Sequence, residues 1–138
     1  MSKDTILSLI LSLPLGVIGG LYSGLIVARY SRFSELRNEA LRIIRTIDYM
    51  LEEQKIIVSK INDLPKLAII SSDLLSLQHR RAGNSIIILS TAVSETNYEA
   101  ERGRIPIDVY EQRYLHWQCM VRKLQPSKRI IFAITWVL

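Results

Sequence analysis

The chain has 138 residues, a net charge of +5 at pH 7 and one cysteine, Cys119. A single cysteine excludes an intrachain disulfide framework and is compatible with a reducing, cytosolic compartment. Lys3 and Asp4 cancel within the first 28 residues. The basic excess therefore lies in the remainder, which is long enough for one small domain.

The N-terminal segment is predicted to be a transmembrane helix. No charged residue occurs between Thr5 and Ala28, and a helix of that length extends about 36 Å, compared with roughly 30 Å for the hydrocarbon core of a bilayer. A cleaved signal peptide is the alternative, but its apolar region is usually shorter than this one. We therefore predict an N-terminal transmembrane anchor over residues 1–28.

Small residues recur at every fourth position of this segment and form a small-residue stripe: Ser8, Ser12, Gly16, Gly20, Gly24 and Ala28. Small side chains let two helix backbones approach closely in lipid. Each four-residue step turns about 40° further around a helix, so the six positions cannot all face one neighbour. The central trio, Gly16, Gly20 and Gly24, is the predicted helix contact, and the stripe as a whole favours a ring or cluster of spans.

Basic residues follow the uncharged segment at Arg29, Arg32 and Arg37 and outnumber those that precede it. Basic flanks remain in the cytoplasm and are attracted to anionic headgroups. The sequence thus predicts a single-pass membrane protein, with the N-terminus outside and the C-terminal domain in the cytoplasm.

The next segment, residues 29–64, is predicted to be a long amphipathic helix that continues from the anchor. Its apolar residues follow steps of three and four, with one polar member, Gln54. Such a helix packs within its own domain or associates with other copies as a coil, and the pattern leaves both open. The repeat consists of Phe33, Leu36, Ala40, Ile43, Ile47, Met50, Gln54, Ile57, Ile61 and Leu64.

Residues 65–138 are predicted to form the remainder of a helical domain. A second helix covers 66–82 and stops at Gly83-Asn84. The segment that begins at Ser85 has the β-branching of a buried strand, but its later spacing favours a third helix. A fourth helix begins at Ile107 or Asp108 and is closed by Pro126. The apolar tail, 129–138, is a buried strand or helix, or an interfacial segment. The predicted fold class is mainly α, a transmembrane helix followed by a small cytosolic helical bundle, with a short C-terminal strand as an option.

Nothing in the chain has the spacing of a catalytic or metal site. A glycine-rich nucleotide loop, a nucleophile elbow and zinc-ligand spacing are all absent from the sequence. His116 and Cys119 stand three residues apart, but two ligands do not make a metal site. We therefore expect no enzyme activity, no cofactor and no metal.

Basic residues near predicted turns are the candidate binding groups. In one interpretation they complement helix dipoles and aid solubility. In the other they form a phosphate site, because arginine forks bind phosphate bidentately and helix starts add backbone donors. If the turns fall at one end of the bundle, they form one basic patch. The candidates are Arg80, Arg81, Arg102, Arg104 and Arg129 for phosphates, with His79 and Asn84 as base or ribose contacts.

The layout, an N-terminal glycine-striped span (5–28) joined to a compact basic domain (29–138), resembles small membrane effectors of bacterial antiviral defence. It is most similar to the cyclic-oligoadenylate-binding membrane effectors of type III CRISPR systems. The resemblance covers the whole chain as architecture and assigns no residue a role. It implies a cytosolic domain that oligomerises and binds a nucleotide messenger.

The resulting hypothesis is an oligomeric membrane effector, such as a tetramer, that binds a cyclic oligonucleotide and disrupts the membrane. Its partners are the lipid bilayer, further copies of the chain and a cyclic oligoadenylate, and not duplex nucleic acid. Two alternatives remain: a ligand-free anchored scaffold that recruits a cytosolic partner, and a phage-type exclusion or lysis protein that acts through the span alone.

Overall fold

The structure is a computed structural model that describes residues 3–53 and 55–133, and side chains from Pro14 onward except Leu15 and Gln54. It is mainly helical with one two-stranded sheet, so the mainly-α fold class is confirmed. The elements in chain order are α1 (Lys3–Thr46), β1 (Asp48–Glu52), β2 (Lys55–Ser59), α2 (Lys66–Ser76), α3 (Arg80–Glu101), α4 (Ile107–Arg122) and α5 (Lys128–Ile131).

Helix α1 differs sharply between its two halves. From Phe33 to Ile44 most of its apolar residues are buried on the side that packs against α2 and α4, whereas between Val17 and Val27 most of the large apolar side chains are exposed. The helix thus extends beyond the domain that packs on its C-terminal half. Within the described residues, no helix combines the length and the apolar character needed to cross a membrane.

The prediction of one helix over 29–64 is wrong beyond Thr46, because the chain turns there into an antiparallel hairpin. Its register pairs Asp48 with Ser59 and Glu52 with Lys55. In β2 the buried Ile56 and Val58 alternate with exposed neighbours, and they pack toward α3. The β-branched run from Ile56 to Val58 suits this extended conformation. The three-and-four spacing therefore reflected a helix followed by a two-stranded hairpin.

The predicted second helix, 66–82, is also wrong at its end, because α2 stops at Ser76 and α3 begins at Arg80. The stop is a left-handed residue, Gln78, with φ 62°. The amide of His79 donates to the carbonyl of Leu74 and that of Gln78 to the carbonyl of Leu75, the pattern of a Schellman motif, where glycine is usual. Gly83, the predicted stop, lies inside α3.

Gly83 instead permits close packing of α2 against α3. A methyl group added there would lie 2.7 Å from Cγ of Leu75 and 3.2 Å from the carbonyl oxygen of Ser71. The hydroxyl of Ser71 donates to the carbonyl oxygen of Gly83 at 3.0 Å. The absence of a side chain is therefore a packing requirement.

The rest of the helical pattern follows the prediction. The third helix covers the ambiguous segment from Ser85, and α4 begins at Ile107. Pro106 is the N-cap of α4, and Asp108 lies in its first turn. The tail begins as the short helix α5, in which Ile131 is buried; residues 134–138, on which a C-terminal strand was an option, lie outside the described residues.

We expect Gly83→Ala to destabilise the domain. Overpacking costs about 1–3 kcal/mol, partly offset by the roughly 1 kcal/mol helix preference of alanine over glycine. Thermal unfolding of the full chain in detergent, followed by circular dichroism, measures the change. Thr91→Ala, on the exposed side of the same helix, is the control. In the double variant Gly83→Ala/Leu75→Ala the added methyl group has room, so the loss of stability should be smaller than the sum of the two single losses. A loss equal to that sum would contradict the packing explanation.

Candidate functional site: a basic pocket at the start of α3

A cavity of about 590 Å³ lies between the α2–α3 turn and the segment that precedes and includes the start of α5. This volume falls within the range of small-molecule sites, about 300–1,000 Å³. The turn contributes one wall and the C-terminal segment the other. We call this cavity the basic pocket; its lining residues are Gln78, His79, Arg80, Arg81, Ala82, Gln125, Pro126, Ser127, Lys128 and Arg129.

Positive charge dominates the basic pocket. Its lining includes Arg80, Arg81, Lys128 and Arg129 and no carboxylate, and none of the four cations forms an ion pair within the described part of the chain. Like charges that share a cavity repel one another, and an anion relieves that repulsion. The arrangement therefore favours an anionic ligand.

The position of the arginines on α3 argues against a purely structural role. Arg80 and Arg81 are in the first turn of α3, where the helix dipole is positive and basic residues are unfavourable. The interpretation that they complement a helix C-terminus is therefore wrong. The free backbone N–H groups at a helix start also attract anions, so the dipole and the side chains act in the same direction.

His79 forms the floor of the pocket and links its two walls. Its side chain is buried, and its Nδ1 accepts a hydrogen bond from the backbone N–H of Ser127 at 3.1 Å. The edge of its ring contacts Phe33 of α1, with centroids 4.9 Å apart. Because Nδ1 accepts, the proton of the neutral ring is on Nε2. Burial lowers the pKa of His79 below its ordinary value of 6.5, which favours this neutral form.

The structure brings together only part of the predicted phosphate set. His79, Arg80, Arg81 and Arg129 line the basic pocket, whereas the exposed Asn84 does not. Arg102 and Arg104 follow the far end of α3, which is about 33 Å long, so a single patch with all the arginines does not form. The guanidinium of Arg102 instead lies 4.0 Å from the ring centre of Tyr98.

The glycines of the predicted helix contact have no neighbour within the described part of one chain. A methyl group added at Gly16, Gly20 or Gly24 would meet no atom within 4 Å. Close approach by a second helix is therefore sterically open at all three positions.

Sequence reasoning missed Gln78 and Gln125 and left Lys128 out of the phosphate set. No local pattern predicted that Gln78 ends α2, because the left-handed conformation that it adopts is usual for glycine. Lys128 adjoins Arg129, and the pair was recognisable as a basic dipeptide, but its distance from Arg80 in the chain is more than 40 residues. Only the fold joins the two pairs.

A second cavity, of about 340 Å³, lies between the hairpin and the end of α3 and includes Glu52, Glu53 and Glu101 in its lining. Across the residues whose placement is described, no group of three potential ligands is arranged to hold a metal ion. No protein-family model, curated protein or solved structure matches the chain.

We expect stability to fall as pH decreases below about 6.5 through the protonation of His79. Because its pKa is lowered in the folded state, the unfolded chain takes up the proton first, and the loss levels off below the folded-state pKa. Thermal melts from pH 8 to pH 5 measure this dependence. His79→Gln should flatten the curve and the exposed His116→Gln should not; an unchanged slope in His79→Gln would contradict the assignment.

Proposed function

We propose that the chain is a non-enzymatic, oligomeric membrane effector of antiviral defence. The support for a membrane anchor is the uncharged segment 5–28 with its small-residue stripe; on this proposal that segment lies in the bacterial inner membrane and the domain lies in the cytoplasm. The basic pocket binds an anionic nucleotide second messenger, such as a cyclic oligonucleotide. The observation that carries the proposal is the convergence of four cations on one cavity to which the described residues contribute neither a carboxylate nor an ion-pair partner.

The pocket chemistry suits a nucleotide. Two arginines supply forked donors for phosphate oxygens, and the side-chain amides of Gln78 and Gln125 can hydrogen-bond to base or ribose edges. Aromatic stacking contributes little among the residues that the structure describes, because His79 is the one aromatic ring that they supply to the lining and it is buried. The phosphates therefore provide most of the binding energy.

The link from the pocket to the anchor runs through α5. The guanidinium of Arg29 donates to the carbonyl oxygens of Ile130, at 2.9 Å, and Ala133, at 2.6 Å. The hydroxyl of Tyr22 donates to the backbone carbonyl oxygen of Phe132 at 2.9 Å. A ligand held by Lys128 and Arg129 thus contacts the segment that is bonded to α1. To drive a change in the packing of the spans, it must bind one packing state more tightly than the other.

One observation favours the alternative of a ligand-free scaffold. Ile87 and Ile88 are 47% and 63% exposed on the outer face of α3, and apolar side chains on such a face can dock a protein partner. On this alternative, substitutions at Ile87 and Ile88 abolish function and substitutions at Arg80 and Arg81 do not.

We expect the double variant Arg80→Ala/Arg81→Ala to lose at least about tenfold in affinity for the messenger, because hydrogen bonds to charged groups contribute roughly 1.5–3 kcal/mol each. The measurement is calorimetric titration of cyclic oligoadenylates of several ring sizes into the full chain in zwitterionic detergent. Arg102→Ala/Arg104→Ala removes the same charge far from the pocket and should bind normally. Equal losses in both variants, or no binding of any ring by the parent, would contradict the proposal.

We expect Gly20→Leu to disrupt the oligomer, because a bulky side chain prevents close backbone approach at the centre of the small-residue stripe. The mass of the detergent-solubilised protein measures the effect. Ile18→Leu, about 200° around the helix from Gly20, is the control and should leave the mass unchanged. An oligomer that persists in Gly20→Leu would show that the stripe is incidental.

A further inference from the structure

The C-terminal wall of the basic pocket is held at one position along the axis of α1. The hydrogen bonds from Tyr22 and Arg29 hold the end of α5 beside the last part of the uncharged segment. On the other side of the pocket, His79 contacts Phe33. The pocket therefore lies beside the stretch of α1 between Tyr22 and Phe33.

That stretch coincides with the level at which an inserted α1 would leave the membrane. The uncharged segment ends at Ala28, and Phe33 is about 7.5 Å further along the helix axis. The headgroup layer on each side of the hydrocarbon core is roughly 5–7 Å thick. With α1 inserted, the basic pocket is thus at the depth of lipid phosphates.

The surface around this level has the character of a membrane-contacting face. Phe132, the residue after α5, is 57% exposed next to Tyr22, and Val27 on α1 is 66% exposed. Lys128 and Arg129 are exposed immediately before this apolar surface. Cations above exposed apolar side chains are complementary to an anionic headgroup above its acyl chains.

We propose that the basic pocket binds the headgroup phosphate of an anionic glycerophospholipid in the leaflet that surrounds α1. The proposal depends on the membrane anchoring in the proposed function and adds a regulation of the same site: a soluble messenger must displace a lipid headgroup. The messenger's apparent affinity then depends on the lipid composition around the protein.

The first experiment compares phosphatidylglycerol with phosphatidylcholine retained by the full chain from mixed micelles, measured by native mass spectrometry. The parent should retain several-fold more phosphatidylglycerol, and Lys128→Ala/Arg129→Ala should lose that excess. The control Lys55→Ala/Arg104→Ala removes the same charge far from α5 and should retain the same excess of phosphatidylglycerol as the parent. Equal retention of both lipids by the parent, or equal losses in the two variants, would overturn the proposal.

The second experiment separates a lipid headgroup from a free phosphate by titrating inorganic pyrophosphate. In phosphatidylcholine micelles pyrophosphate should bind the pocket, and in phosphatidylglycerol micelles its apparent affinity should fall several-fold. The same affinity in both would overturn the proposal. The nucleotide titration is carried out without anionic lipid, so failure of the messenger hypothesis is visible separately from failure of the lipid hypothesis.

Discussion

The hydrogen bond between the backbone of Ser127 and the imidazole of His79 is the interaction on which the pocket depends. It joins two segments that are remote in the chain, and the ring that accepts it also packs on α1 through Phe33. An unpaired buried imidazole nitrogen would be costly, so the bond fixes the spacing of the two pocket walls. The basic residues on either side line one cavity because this contact joins the backbone segments that carry them.

The sequence was most informative where amphipathic spacing extended over a whole helix. The helix over Ile107–Arg122 and the helical character of the segment from Ser85 both follow from amphipathic spacing. The hairpin did not follow, because a helix and the two strands after it reproduced a heptad whose members are all apolar except Gln54. A period of three and four residues cannot distinguish these cases where β-branched residues occupy the second half.

The sequence predicted only part of the pocket, because here too one local pattern had two structural explanations. Arg80 and Arg81 were recognisable as candidate anion-binding residues, but Gly83 pointed to a helix end where α3 in fact begins, and this reversed the electrostatic interpretation. Glycine satisfies both a left-handed turn and a close helix crossing, and only the contact with Leu75 distinguishes them. The pairing with Lys128 and Arg129 depends on tertiary contacts that no local pattern encodes.

The continuity of α1 from Gly16 to Thr46 has a mechanical consequence. A flexible linker would absorb any reorientation of the domain, but an unbroken hydrogen-bonded helix is torsionally stiff and transmits rotation along its axis. The domain contacts α1 at its buried face and through the hydrogen bond from Arg29 near α5. Rotation of the domain about the axis of α1 therefore turns Gly16, Gly20 and Gly24 through the same angle. A small twist at the domain therefore changes the direction in which these three glycines face.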